Sequence, residues 1–211
     1  MKLAKITLTT LAAFVWAGTL AASDVFITEI ADPNNSSTTG RFVELYNSGS
    51  SDIDLSAAGY KIQRWTNDNA DPTPSSIKDL TGTIPAGGFY IICNDADKFS
   101  ATYGFDADQD IGTGGAADSN GDDQIAIVVG NNNTIVDMFG VAGEDGTGTA
   151  HEFEDGRAER VSTVTSGNAT WDAAEWDIDN DSGGGDGAQD APDDFDPNVW
   201  FTHTDPTAPT D

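Results

Sequence analysis

Residues 41–47 read Arg-Phe-Val-Glu-Leu-Tyr-Asn, and this stretch constrains the fold more than any other. Successive side chains of an extended backbone point to opposite faces, so Phe42, Glu44 and Tyr46 share one side while Val43 and Leu45 share the other. Both sides are mainly apolar, which fits a strand with packing above and below it. Asn47-Ser48-Gly49-Ser50 then supplies turn chemistry, because Gly accepts positive φ and Asn or Ser bonds to its own backbone. Asp52-Ile53-Asp54-Leu55 resumes the period of two, with Ile53 and Leu55 on one side. The segment specifies a sheet protein and names no reaction.

Other short apolar runs repeat the pattern. Val25 to Ile30 reads as a first strand, with Val25, Ile27 and Glu29 on one face and Phe26, Thr28 and Ile30 on the other; Pro33 and the Asn residues after it stop it. An unpaired edge at Asp24 to Thr28 would offer a strand to a neighbouring copy. Gly59 to Trp65 alternates cleanly, Ile77 to Leu80 reads as a short edge strand, and Phe89 to Cys93 is the most apolar strand. Residues 97–103 suit one or two helical turns ended by Gly104, and Asp106 to Asp118 is expected to be irregular. Gln124–Val129 and Thr134–Phe139 flank Gly130-Asn131-Asn132-Asn133, a hairpin connection. Residues 151–161 read as strand, turn at Asp155-Gly156, and strand.

Eight or nine short strands with no long amphipathic helix predict an all-β chain: an immunoglobulin-like antiparallel β-sandwich, spanning 24–177, with long acidic loops. Residues 178–211 are rich in Gly and Asp and are expected to form a flexible C-terminal tail, with Trp200 and Phe201 available to pin it.

The start of the chain reads differently. Lys2 and Lys5 precede an apolar run diluted by Thr, and Ala21-Ala22-Ser23 offers small residues for cleavage, so residues 1–22 read as a signal peptide. The run is too short to span a bilayer, and a secreted, extracellular or periplasmic product with no stable membrane anchor is expected. Cleavage takes the formal charge from −27 to −29. Such a field repels phosphate backbones, which argues against nucleic acid as a partner, and attracts divalent cations. The one cysteine, Cys93, lies in an apolar run with no activating base in sight and reads as a buried, inert thiol.

The set Ile27-Thr28-Glu29-Ile30, Arg41 to Asn47, Asp54-Leu55-Ser56 with Gly59-Tyr60-Lys61-Ile62, Pro85-Ala86-Gly87, and Asp122 to Ile127 resembles the lamin tail domain in its bacterial secreted form. The resemblance covers roughly Asp24 to Asp177. Ala57-Ala58 departs from the Ser-Gly and aromatic usual there, which leaves the register before Gly59 open. The resemblance implies an immunoglobulin-like sandwich serving as a binding or spacer module, a kind of domain that often accompanies secreted nucleases, phosphatases or surface proteins.

Three runs space carboxylates alternately, as loops that wrap a hard cation do. They are Asp106, Asp108 and Asp110; Asp118, Asn120 and Asp122; and Asp177, Asp179 and Asp181. Where a helix-loop-helix calcium loop needs Gly, these runs hold Ile111, Asp123 and Ser182, so none is that motif. An irregular extracellular calcium site is the remaining cofactor expectation, first at Asp118, Asn120 and Asp122 and next at Asp106, Asp108 and Asp110. Glu29 and Glu44 sit on adjacent strands and form an acid–base pair on paper, yet Arg41, Arg64, Arg157 and Arg160 are at hand to neutralise them. No nucleophile elbow, zinc-protease helix or phosphate loop is present.

The leading expectation is therefore a non-enzymatic, exported interaction or structural module. Its partner would be itself, through sheet edges or tail exchange, or another extracellular protein or surface, with calcium as stiffener. A metal-dependent secreted hydrolase or nuclease, or an accessory domain of one, is the first rival. A carbohydrate-binding adhesin using Trp65, Trp171, Trp176 and Trp200 is the second.

Overall fold

The computed structural model describes residues 23–35 and 39–204; the leader expected at 1–22 lies outside them. The chain opens with β1 (Val25–Ala31), β2 (Phe42–Asn47) and the short β3 (Ile53–Asp54). One helical turn, α1 (Leu55–Ala58), follows, capped by the Asp54 carboxylate on Ala57 N–H and closed by Gly59 at φ 74°. The sequence's departure at Ala57-Ala58 is thus a turn of helix set ahead of β4 (Tyr60–Trp65). Then come β5 (Lys78–Asp79), β6 (Thr83–Ile84), β7 (Phe89–Cys93) and α2 (Ala96–Tyr103), which Gly104 ends as expected. The second half holds β8 (Gln109–Asp110), β9 (Gln124–Val129), β10 (Thr134–Phe139), β11 (Arg157–Arg160) and β12 (Trp176–Asp179). A ribbon of β13 (Val199–Trp200) and β14 (His203–Thr204) closes it.

Two sheets make an immunoglobulin-like sandwich. The larger has the order β12-β11-β1-β2-β7-β8, the smaller β10-β9-β4-β5. All pairings are antiparallel except β7 with β8, so the stretch expected to be irregular at 106–118 contributes a short parallel edge. Every residue of β2 is buried. Val43 and Leu45 join the core between the sheets with Val25, Ile27, Ile62, Ile125 and Phe139. Phe42 and Tyr46 belong to two outer clusters, so β2 is packed on both faces, as its sequence predicts.

β1 departs from expectation twice. It pairs with β2 along its length and with β11 only at Glu29–Ala31. Ahead of that, the flank away from β2 is taken by side chains, with Ile27 N–H donating to Asp137, the Ile27 carbonyl accepting from Arg160 and Val25 bonded to the Ser23 hydroxyl, so the edge expected at Asp24 to Thr28 is blocked rather than open to a neighbour. Its register also shifts between Ile27 and Glu29. The extra residue, Thr28, makes a β-bulge, and a bulge reverses which later side chains face inward. Ile27 and Ile30 therefore both point into the core, while Glu29 lies on the outer face directly opposite Glu44. The simple alternation in the sequence had put Ile30 on the face opposite Ile27.

The outer face of the larger sheet is covered rather than bare. Phe99 and Tyr103 of α2 pack edge-on against Phe42. The segment after β12 returns across the same face: Ala191 and Phe195 join Phe42 and Ile91, and Trp200, 2% exposed, sits against Phe26 and Tyr46. Part of the segment expected as a flexible tail, from Ala191 to Trp200, thus packs on the sheet. A few large aromatics anchor it despite its polar composition, while Phe201 stays exposed.

Candidate functional site

The three cation-loop candidates fall in different places. Asp106 is exposed. Asp108 accepts a hydrogen bond from Ile91 N–H at 2.7 Å, and Asp110 accepts from Ala96 N–H at 3.1 Å and Gly112 N–H at 2.7 Å. These two carboxylates fasten the β8 loop to β7 and α2. Asp179 accepts from Arg157 Nε at 3.1 Å and from Asp186 N–H at 2.7 Å.

Asp118, Asn120 and Asp122 lie at the loop end of the sandwich, just before β9. Asp118 accepts from Asn94 Nδ2 at 2.9 Å and Gly114 N–H at 2.7 Å, and lies 3.5 Å from an Arg41 nitrogen. Its backbone carbonyl accepts from Arg64 at 2.7 Å. Guanidinium groups thus occupy the neighbourhood in which a cation was expected. Asn120 is exposed. Gly121, at φ +96°, lets the turn press on the next loop, since a Cβ there would sit 2.1 Å from Glu154 Cα. Asp122 Oδ2 accepts from Asn67 Nδ2 at 2.7 Å, while its Oδ1 is buried without a hydrogen-bond partner. Burial first, then the charges of Asp123 and Asp145, push the Asp122 carboxyl above its usual value. The structure does not gather Asp106, Asp108 and Asp110 with the second run. Among the described residues no three His, Cys, Asp or Glu side chains are arranged to hold a metal ion.

The two glutamates of the central strands carry more unusual physics. Glu29 is 2% exposed and Glu44 fully buried, and they face each other across β1 and β2. Of the four arginines expected to neutralise them, only Arg157 reaches Glu29, at 4.0 Å. Arg41 is taken by Asp32 at 2.6 Å, Arg64 by Asp123 at 3.1 Å, and Arg160 by Asp137 and Glu175. Glu44 instead accepts from the Thr28 hydroxyl and from Asn198 N–H, each at 2.6 Å. Glu29 Oε1 has no hydrogen-bond partner. Burial pushes Glu44 up to about 8, and burial together with the Glu44 charge holds Glu29 well above the carboxylate range. Burial also lifts Asp32 to about 6, against the pull of Arg41.

Sequence reasoning missed a third arrangement, the bridge between the sheets. Arg160 and Asp137 are both fully buried, with one guanidinium nitrogen 2.6 and 2.7 Å from the two carboxylate oxygens. Asp137 also accepts from Ile27 N–H at 2.8 Å and Asn168 N–H at 2.9 Å. Arg160 lies 4.1 Å over the Trp176 ring and donates to Glu175 at 2.6 Å. Its only sequence signal is an Asp in an otherwise apolar hairpin strand.

The remaining candidates are structural in place. Trp65, Trp176 and Trp200 are 2–6% exposed, and Trp171 packs on Phe139 and Trp176, so the core and its cover use the tryptophans expected for sugar contact. Cys93 is fully buried, and burial pushes its thiol up to about 11.

A family model described as Lamin Tail Domain matches residues 19–143. No curated protein matches the chain.

Proposed function

The chain belongs to the lamin tail domain family, and from that premise we propose that it works as an exported, non-enzymatic binding or structural module. Domains of this immunoglobulin-like fold are in general non-catalytic. One observation carries the reading here: the carboxylates best placed for acid–base work, Glu29 and Glu44, are sealed inside the protein by the segment that ends in Trp200. A general acid must reach the proton it transfers, and these two reach only protein groups.

We infer that the module associates with itself by exchanging this C-terminal segment. The segment follows Gly183-Gly184-Gly185 and contributes Phe195 and Trp200 to an apolar face that an identical face on a second copy would receive equally well. The net charge of −27 favours protein or surface partners over nucleic acid. Calcium stabilisation is proposed in a narrow form, centred on the unpartnered Asp122 Oδ1 with Asp145 beside it. Light scattering across a concentration series tests exchange, and thermal unfolding with calcium to about 10 mM and with chelator tests the ion. Dimers at high concentration, and a higher Tm with calcium, are expected. A monomer at every concentration refutes exchange, and an unchanged Tm refutes the ion.

A further inference from the structure

Across β2, β1 and β11 three acids stand in a row. Glu44 pairs with Glu29, and Glu29 pairs with Glu159 on its other side. The strap formed by residues 190–203 lowers Asp196 onto the same spot, and β12 adds Asp179 and, beside Glu159, Asp177. α2 brings Tyr103, whose phenol is pushed up by burial and, after it, by the Glu29 charge. His203, at the far end of the strap, stacks on Trp200 rather than on an acid. Among the described residues the cation at this spot is Arg157, which lies 3.1 Å from Asp179, 3.7 Å from Asp196, 3.8 Å from Glu159 and 4.0 Å from Glu29. Glu44, fully buried, has none. Like charges directly opposite on adjacent strands repel, and a buried carboxylate without a cation is strongly disfavoured, so a group in this position takes up a proton instead.

The strap is attached to the acids themselves. Its Asn198 N–H donates to Glu44 Oε2, and its Trp200 indole N–H donates to the Arg160 carbonyl at 2.6 Å. Closure is what seals the glutamates from water, and the sealed site admits them only with a proton to share. We propose that Glu29 and Glu44 form a proton-operated latch: the strap lies closed over the larger sheet while the pair holds its proton, and opens when the proton is lost. Opening uncovers Phe26, Tyr46 and Phe89 beneath Trp200 and returns both glutamates to water. The latch stands whether or not the chain associates with itself, because it concerns closure within one copy.

The sign follows from which state holds the proton. The closed state binds one proton more than the open state between the ordinary carboxyl range and the pH at which the pair ionises, so the opening constant rises about tenfold per pH unit for each proton released. Protease cleavage within residues 190–200 of the full chain, normalised to a free peptide of the same sequence, reads that constant when opening is fast. From about pH 6 to about pH 9 the native chain is expected to be cleaved at least tenfold faster. Glu29→Gln, neutral at every pH, is expected to lower the slope by about one proton, with Glu44→Gln as the second variant. Should both variants fail to fold, hydrogen exchange at Asn198 in the native chain, corrected for its intrinsic rate, decides alone. Cleavage and exchange that are flat with pH, or variants that keep the native slope, overturn the latch.

Discussion

Replacing Asp137 by Ala should be among the most damaging single changes in the protein. The substitution strips the fully buried Arg160 guanidinium of its partner at 2.6 and 2.7 Å and leaves the amides of Ile27 and Asn168 without acceptors. Removing one member of a buried pair costs about 3–5 kcal/mol. Glu175 still holds one side of the guanidinium, which favours the lower end, about 3. Each orphaned amide adds about 1 kcal/mol, for a total near 5, a third or more of the stability of an ordinary domain. With a urea m-value of about 2 kcal/mol/M the midpoint falls by roughly 2.5 M. Arg160→Met leaves Asp137 with its two amide donors and should cost about 3 kcal/mol. The double variant should be more stable than the sum of the two losses by about 2 kcal/mol, because neither charge is then stranded. Urea unfolding followed by tryptophan fluorescence measures all three, and the losses should persist in high salt because solvent ions do not reach the pair. A loss below about 1 kcal/mol for Asp137→Ala with unchanged m, or additive losses in the double variant, would refute the reasoning.

The lifted carboxyls make global stability depend on pH. Glu44 at about 8 and Asp32 at about 6 hold protons more tightly folded than unfolded. The stability they contribute is complete below the ordinary carboxyl range, declines as pH rises through those values, and is gone above about 8. Tm should therefore fall between mildly acidic and mildly alkaline pH; a Tm that rises over that range counts against the assignment. Cys93 should resist a thiol reagent in the native protein and react stoichiometrically in denaturant; rapid native labelling would show that β7 opens locally.

The parts of the fold legible in the sequence are those set by local period and turn chemistry. Phe42 to Tyr46 announces burial on both faces because both sets of alternating side chains are mainly apolar, and the hairpin at Gly130 to Asn133 and the stop at Gly104 need only their neighbours. The bulge at Thr28 is different: one extra residue in a ladder leaves no trace in composition, yet it puts Glu29 and Glu44 face to face. The C-terminal strap was hidden for another reason. Low apolar density reads as disorder, whereas Phe195 and Trp200 bury enough surface to hold a polar segment down. The acidic loops were visible as charge, but whether Asp118 meets a cation or a guanidinium is decided by Arg41 and Arg64, remote in sequence.

Strand β1 is flanked by β2 and by β11, and its Glu29 meets Glu159, 130 positions later. A ribosome adding about 5–20 residues per second takes roughly ten seconds to cover that gap. Throughout that interval an apolar strand made near the beginning has a partner on one flank only. The larger sheet can be completed only once Arg157 to Arg160 have been made, and until then Glu29 to Ala31 stands as an unpaired edge open to wrong partners.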